Sequence, residues 1–154
     1  MISLARIDER LIHGQVAYSW TMAYKSDAIM VIDDEVSQDQ FQKDLLAFAC
    51  PKDMKCLVVN ETRAVELLQK YEGKKIFVVV KHPKVLLNIV KNGLELKSIN
   101  VGGLYFKEDR KQCTKTVYVD EGMVCIFKEL NSLGVELDTR TTPSDESQDL
   151  IKLL

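Results

Sequence analysis

The sequence predicts an α/β fold, a doubly wound, mostly parallel central sheet with helices on both faces. Short apolar runs rich in β-branched residues recur along the chain, and segments with helical spacing separate most of them. The runs are apolar on nearly every residue instead of every second one, as strands covered on both faces require. With 154 residues, 46% of them apolar, and only 7 glycines and 3 prolines, the chain is long enough for one compact domain spanning residues 1–154.

The first predicted strand is Ile2–Ile7, followed by a helical pattern at Val16, Trp20, Ala23 and Tyr24 that starts near Gln15-Val16. Ala28–Ile32 is the second strand. The helix after it carries Phe41, Leu45, Phe48 and Ala49, and Ser37 followed by Gln40 fits a capping box at its start. Cys56–Val59 is the third strand, with a helix through Ala64, Leu68 and Tyr71. Ile76–Val80 is the fourth, followed by Pro83 at a first helical position, Leu86, Ile89 and Val90, and Gly93 where a left-handed C-terminal cap belongs. Ile99–Val101 is the fifth strand. Gly102-Gly103 and the charged stretch Lys107–Lys115 then read as a turn and a solvated loop. Val117–Val119, a helix through Met123, Phe127 and Leu130, Gly134 at its end and the strand Val135–Leu137 complete the alternation. Pro143-Ser144-Asp145-Glu146 with Leu150, Ile151, Leu153 and Leu154 read as a short amphipathic helix with an acidic first turn.

Composition excludes several classes of function. Basic and acidic residues nearly balance, 21 against 23, so no positive field marks a nucleic-acid binder. No apolar run approaches the roughly 20 residues of a membrane span. The N-terminus lacks the pattern of a secretion signal, and a cytoplasmic protein is expected. The 4 cysteines form no C-x-x-C pair and, with only 2 histidines, none of the usual zinc spacings; free thiols and no metal site are expected.

Ligands of open α/β sheets gather beyond the carboxyl ends of the strands. The loops there are Asp8–His13, Asp33-Asp34-Glu35, Asn60, Lys81-His82-Pro83 and Gly102-Gly103. The first combines the most chemistry. His13 stands before Gly14 and a helix start, where Gly14 permits close backbone approach and the exposed N–H groups of Gly14 and Gln15 could face a phosphoryl group on the imidazole. Arg10 could bind the same anion with its planar fork, and Asp8 could accept a hydrogen bond from the other ring nitrogen and orient the tautomer. Each residue also has a plainer reading. His13 could be an ordinary solvated loop histidine, Arg10 a surface ion pair with Glu9 or Asp8 worth roughly 0–1 kcal/mol, and Asp8 a cap of the following turn. For His82 an N-cap role is favoured, and Gly102-Gly103 lacks the lysine and hydroxyl of a P-loop.

The block Arg6-Ile7-Asp8-Glu9-Arg10-Leu11-Ile12-His13-Gly14-Gln15-Val16 resembles the IIB subunit of the mannose/fructose/sorbose class of the bacterial phosphoenolpyruvate-dependent sugar phosphotransferase system. Asp34-Glu35-Val36, Asn100-Val101-Gly102-Gly103, Val119-Asp120-Glu121, Gly134-Val135-Glu136-Leu137 and Pro143-Ser144-Asp145 extend the resemblance from end to end. It implies that His13 takes a phosphoryl group, on Nδ1, from a separate IIA protein. The group would pass to a sugar entering through membrane IIC and IID subunits, with Arg10 neutralising it, no cofactor required, and the chain peripherally associated with the transporter. The sequence departs from the family pattern at Glu9, where aspartate is frequent, at Leu104-Tyr105, in place of a methionine-containing pair, and at His82, where asparagine is frequent. Exposed apolar helix faces could support a homodimer. A regulatory module read through modified His13 and a hydrolase of small phosphate esters are the alternative functions.

Overall fold

The computed structural model describes residues 1–154. Its elements are β1 (Ile2–Asp8), α1 (Gly14–Ala23), β2 (Ala28–Ile32), α2 (Gln40–Ala49), β3 (Lys55–Val59), α3 (Glu61–Lys70), β4 (Ile76–Val80), α4 (Pro83–Lys91), β5 (Ser98–Gly103), β6 (Lys111–Gln112), β7 (Tyr118–Val119), α5 (Glu121–Ser132) and β8 (Glu136–Asp138). Six strands form one parallel sheet in the order β3-β2-β4-β1-β5-β8, as the continuous apolar runs predict.

Alternate side chains of each strand feed opposite faces. Ala5, Ile7, Met30, Ile32, Val78, Val80, Ile99 and Val101 pack beneath α3, α4 and α5 through Leu68, Leu86, Ile89, Phe127 and Leu130. Leu4, Ile29, Val31, Phe77 and Val79 face α1 and α2 through Ala17, Trp20 and Leu46. The chain leaves β1 for β2 with α1 on one face, whereas it leaves β4 for β5 with α4 on the other. β1 and β4 are neighbours, so the crevice beyond their carboxyl ends is a topological switch point, flanked by the loops carrying His13 and His82.

Several local expectations change. α2 is capped by Asp39, whose carboxylate accepts the Gln42 N–H at 3.2 Å, because Val36–Gln38 is already wound as a 3-10 turn; Ser37 and Gln40 form no capping box. On α2 the stripe Phe41, Leu45 and Phe48 points to solvent, Phe48 being 93% exposed, and Leu46 makes the core contact. Val117–Val119 is not part of the central sheet: Tyr118-Val119 pairs antiparallel with Lys111-Gln112, which takes two residues out of the expected loop. Cys50 and Cys56 are not free thiols but a disulfide, brought together where the C-terminal cap of α2 meets β3, with Cα atoms 6.3 Å apart; Cys113 and Cys125 are free.

The C-terminal helix is limited to a 3-10 turn at Leu150–Leu153. Asp138 accepts hydrogen bonds from the Ser147 hydroxyl and the Gln148 N–H, and Thr139 N–H donates to Gln148 O, holding the preceding residues non-helical. Gly93 and Gly134 occupy the left-handed positions after α4 and α5 as expected, with φ of +89° and +88°.

Candidate functional site

β1 ends at Asp8, and the next five residues present His13. Arg10 N–H donates to Asp8 Oδ1 at 2.9 Å and Leu11 N–H to Asp8 O at 2.9 Å, so the loop turns on Asp8. Leu11, left-handed at φ +60°, and Ile12 are then buried as a pair of apolar plugs. His13 follows in extended conformation as the N-cap of α1, and Gly14 is again left-handed at φ +49°. The helix thus starts at Gly14, one residue before the expected Gln15.

The first turn of α1 carries no side-chain cap and no acidic residue. Every other α-helix has its cap: Asp39, Asn60, His82 and Asp120 accept N–H groups of α2, α3, α4 and α5. The N–H groups of α1 at Gly14 and Gln15, with the positive end of the helix dipole, are left for an anion. The side chain of Gln15 itself is exposed; its contribution to such a site is its backbone.

The imidazole of His13 is a quarter exposed. Nδ1 lies 3.2 Å from Leu11 O, and Nε2, buried and without a hydrogen-bond partner, lies 3.8 Å from Asp8 Oδ2. The expected hydrogen bond from the ring to Asp8 is therefore not made in this conformation, because the carboxylate oxygens are engaged elsewhere; Asp8 faces the ring as a charge. Asp8 is completely buried. It accepts Arg6 Nη2 at 3.1 Å, Arg10 Nε and Nη2 each at 3.3 Å, and the Tyr105 hydroxyl at 3.5 Å. Arg10 is half-exposed and lies over the Tyr105 ring, 5.2 Å from its centre. Of the two partners left open for Arg10, the structure selects Asp8.

Glu9 instead binds Arg110 at 2.8 Å and accepts the Tyr105 N–H at 2.6 Å. The Arg110 side chain is only 4% exposed, so the charged stretch around it is tied to the site loop and is not simply a solvated loop. Burial pushes the Glu9 carboxyl up, but the hydrogen bonds from Arg110 and Tyr105 outweigh it and hold Glu9 below its usual range. His82 takes the predicted N-cap role: its Nδ1 accepts Lys84 N–H at 3.1 Å. Burial lowers its pKa, with Asp120 opposing. Between the His13 loop and α2 lies a shallow hollow of about 250 Å³, lined by Arg10, Leu11, Ile12, Leu45 and Lys81 among others.

Sequence reasoning missed Arg6, Asn100 and Tyr105. Arg6 is 4% exposed, with its guanidinium between Asp8 and the Asn100 side-chain oxygen. Burial lowers its pKa from the ordinary arginine value, with Asp8 opposing. Gly102 and Gly103 serve this packing. A Cβ at 102 would overlap the Arg6 guanidinium, and one at 103 would come within 2.5 Å of the Tyr105 hydroxyl and 2.7 Å of Asp8 Oδ1. The paired glycines lie in β5 and make room for buried charge; they are not the tight turn expected of them. The readable signal was Arg6-Ile7-Asp8, which puts an arginine and an aspartate on one face of a buried strand.

Residues 2–154 match the family model described as the PTS system sorbose subfamily IIB component, PTS being the phosphotransferase system. The chain is 38% identical to the sorbose-specific EIIB component of Lacticaseibacillus casei, over 98% of this chain and 93% of that one. It is 35% identical to the mannose-specific EIIAB component of Escherichia coli K12, covering all of this chain and 48% of that longer protein. Among solved structures, the IIBSor domain of the sorbose permease from Klebsiella pneumoniae superposes with a TM-score of 0.94 at 36% identity, over 99% of this chain and 94% of the other.

Proposed function

The chain belongs to the sorbose-subfamily IIB components of the sugar phosphotransferase system, and from that membership we propose that it carries a phosphoryl group on His13 between a IIA protein and a sugar. The supporting observation is that His13 is the N-cap residue of the one α-helix without a side-chain cap, at the switch-point crevice and 3.8 Å from a buried aspartate that also holds Arg10.

In the proposed step the Nδ1 lone pair of His13 attacks the phosphorus of the donor's phosphohistidine in line. The donor P–N bond breaks with its electron pair returning to the donor imidazole, and the new P–Nδ1 bond leaves the His13 ring positive with its proton on Nε2. That N–H faces Asp8, which stabilises the charge. Nδ1 must first turn from Leu11 O, since two lone pairs would otherwise meet there. The α1 N–H groups of Gly14 and Gln15 and the guanidinium of Arg10 gather the equatorial oxygens, and positioning and charge neutralisation supply most of what such a transfer needs. The second step reverses the roles, with a sugar hydroxyl as acceptor at membrane IIC and IID subunits and the protein working from the cytoplasmic side. No helix of this chain is long and apolar enough to cross a membrane. The relatives' names specify sorbose, fructose, mannose and N-acetylgalactosamine at 34–38% identity, so the acceptor is proposed as a sugar of the mannose/fructose/sorbose/amino-sugar class.

The test supplies phosphoenolpyruvate, the two general phosphotransferase proteins and a cognate IIA. An acid-labile, alkali-stable phosphate is expected on the wild type and on His82→Ala, and none on His13→Ala or when IIA is omitted. Phosphate retained on His13→Ala would refute the assignment.

A further inference from the structure

Arg6 is costly where it stands. Bringing a guanidinium out of water costs several kcal/mol even when it is paired. Here its Nε has no partner, its ring-facing side lies 5.7 Å from the centre of Trp20, and two glycines in β5 are needed to admit it and its aspartate. An apolar side chain would fill the same strand position at lower cost. The placement therefore calls for a reason in the chemistry of the site.

Asp8 supplies it. Its two oxygens meet two arginines: Arg6 at Oδ2, and the fork of Arg10 across Oδ1 and Oδ2. The two differ in freedom. Arg6 is buried and clamped by Asn100, whose own amide donates to Asp138 at 3.1 Å and to Arg140 O at 2.9 Å. Arg10 is half-exposed, at the mouth of the crevice over Tyr105. On the carrier reading, on which this inference rests, Arg10 must exchange Asp8 for the phosphoryl group. If Arg10 were the only guanidinium on Asp8, its departure would leave a completely buried carboxylate facing the positive His13 ring at 3.8 Å but with no hydrogen-bonded cation, and Arg10 would stay. With Arg6 in place the carboxylate remains paired when Arg10 leaves.

We infer that Arg6 is a positioning residue: the fixed counter-ion of Asp8 that makes Arg10 free to move onto the phosphoryl group carried by His13. Two arginines facing one aspartate leave one positive charge in surplus, and Arg10 delivers that charge to the incoming anion.

A mutant cycle read on the rate of phosphoryl acceptance tests this. In the wild type, Arg10→Ala is expected to slow acceptance at least about tenfold. In an Arg6→Gln background, where Arg10 is already held by Asp8, the same change is expected to cost less than about twofold, a non-additivity that a purely structural Arg6 would not produce. An equal loss from Arg10→Ala in both backgrounds overturns the proposal. A second measurement needs no variant beyond those assigning signals: the guanidinium Nε–H resonances of the wild type, before and after phosphorylation. The Arg10 signal is expected to shift and the Arg6 signal to stay; a shifting Arg6 or an unmoved Arg10 overturns the proposal whether or not Arg6→Gln folds. Label on His13 with either contrary result removes this inference alone, and absence of label from His13 removes the carrier reading and the inference with it.

Discussion

Gly14 directly follows His13 at φ +49°, with open space where a Cβ would point. Alanine there would meet the left-handed penalty of roughly 1–2 kcal/mol and set a methyl beside the proposed path of the phosphoryl group. Gly14→Ala is expected to lower the thermal midpoint by several degrees and to slow phosphoryl acceptance beyond what the lost stability explains. Gly73→Ala, at a glycine with ordinary φ and equally open space, is expected to leave both nearly unchanged. Asp8 poses the opposite problem, since it is completely buried against Arg6. Asp8→Ala strands that guanidinium and is expected to cost about 3–5 kcal/mol in urea unfolding. His13, Arg10, Asp8 and Gly14 were legible because they share one short loop. Arg6 was hidden inside an apolar strand, and Tyr105 reaches Asp8 only because β1 pairs with β5, a contact between residues 97 positions apart that no local pattern encodes.

α4 begins on a titratable cap. His82 Nδ1 must be unprotonated to accept the Lys84 N–H, and burial lowers its pKa. A histidine with a lowered folded pKa contributes stability that is full above its unfolded value, about 6.5, and lost as the pH falls through the folded value. His82→Asn keeps an accepting cap without the titration. The variant is expected to match the wild type in urea unfolding at about pH 7.5 and to exceed it at about pH 5.5; parallel losses in both proteins would refute the cap's role. Helices whose apolar spacing meets the sheet were legible from that spacing. α2 was legible as a helix but not in orientation, because Phe41, Leu45 and Phe48 repeat at helical intervals on the side away from the sheet. The C-terminal helix failed for a related reason: Asp138 takes hydrogen bonds from Ser147 and Gln148, which local propensity does not anticipate.

The whole molecule is a doubly wound sheet whose switch point lies between β1 and β4, and that topology puts the His13 loop where anions are bound in such folds. The alternation of apolar runs made this architecture readable from the chain, whereas the strand order, with β4 inserted between β1 and β2, depends on crossovers that carry no local signature. The polar strip beneath the site also sets the response to acid. Burial raises Asp138, but hydrogen bonds from Arg140, Asn100 and Gln148 outweigh it and hold it low, as Arg110 and Tyr105 do for Glu9. Carboxylates with lowered folded pKa values contribute stability that is present above their unfolded values near about 4 and lost as the pH falls through the folded ones. The loss of stability between about pH 4.5 and pH 2.5 is expected to be shallower in Asp138→Asn and Glu9→Gln than in the wild type, as read by urea midpoints. The carrier role of His13 is tested most directly by a single-turnover chase: protein phosphorylated by IIA, freed of donor and mixed with membranes bearing the cognate IIC and IID subunits. Label is expected to leave His13 with equal appearance of sugar phosphate, only when sugar is present. Label that persists beside a sugar those membranes transport, or sugar phosphate formed equally well with His13→Ala, would contradict it.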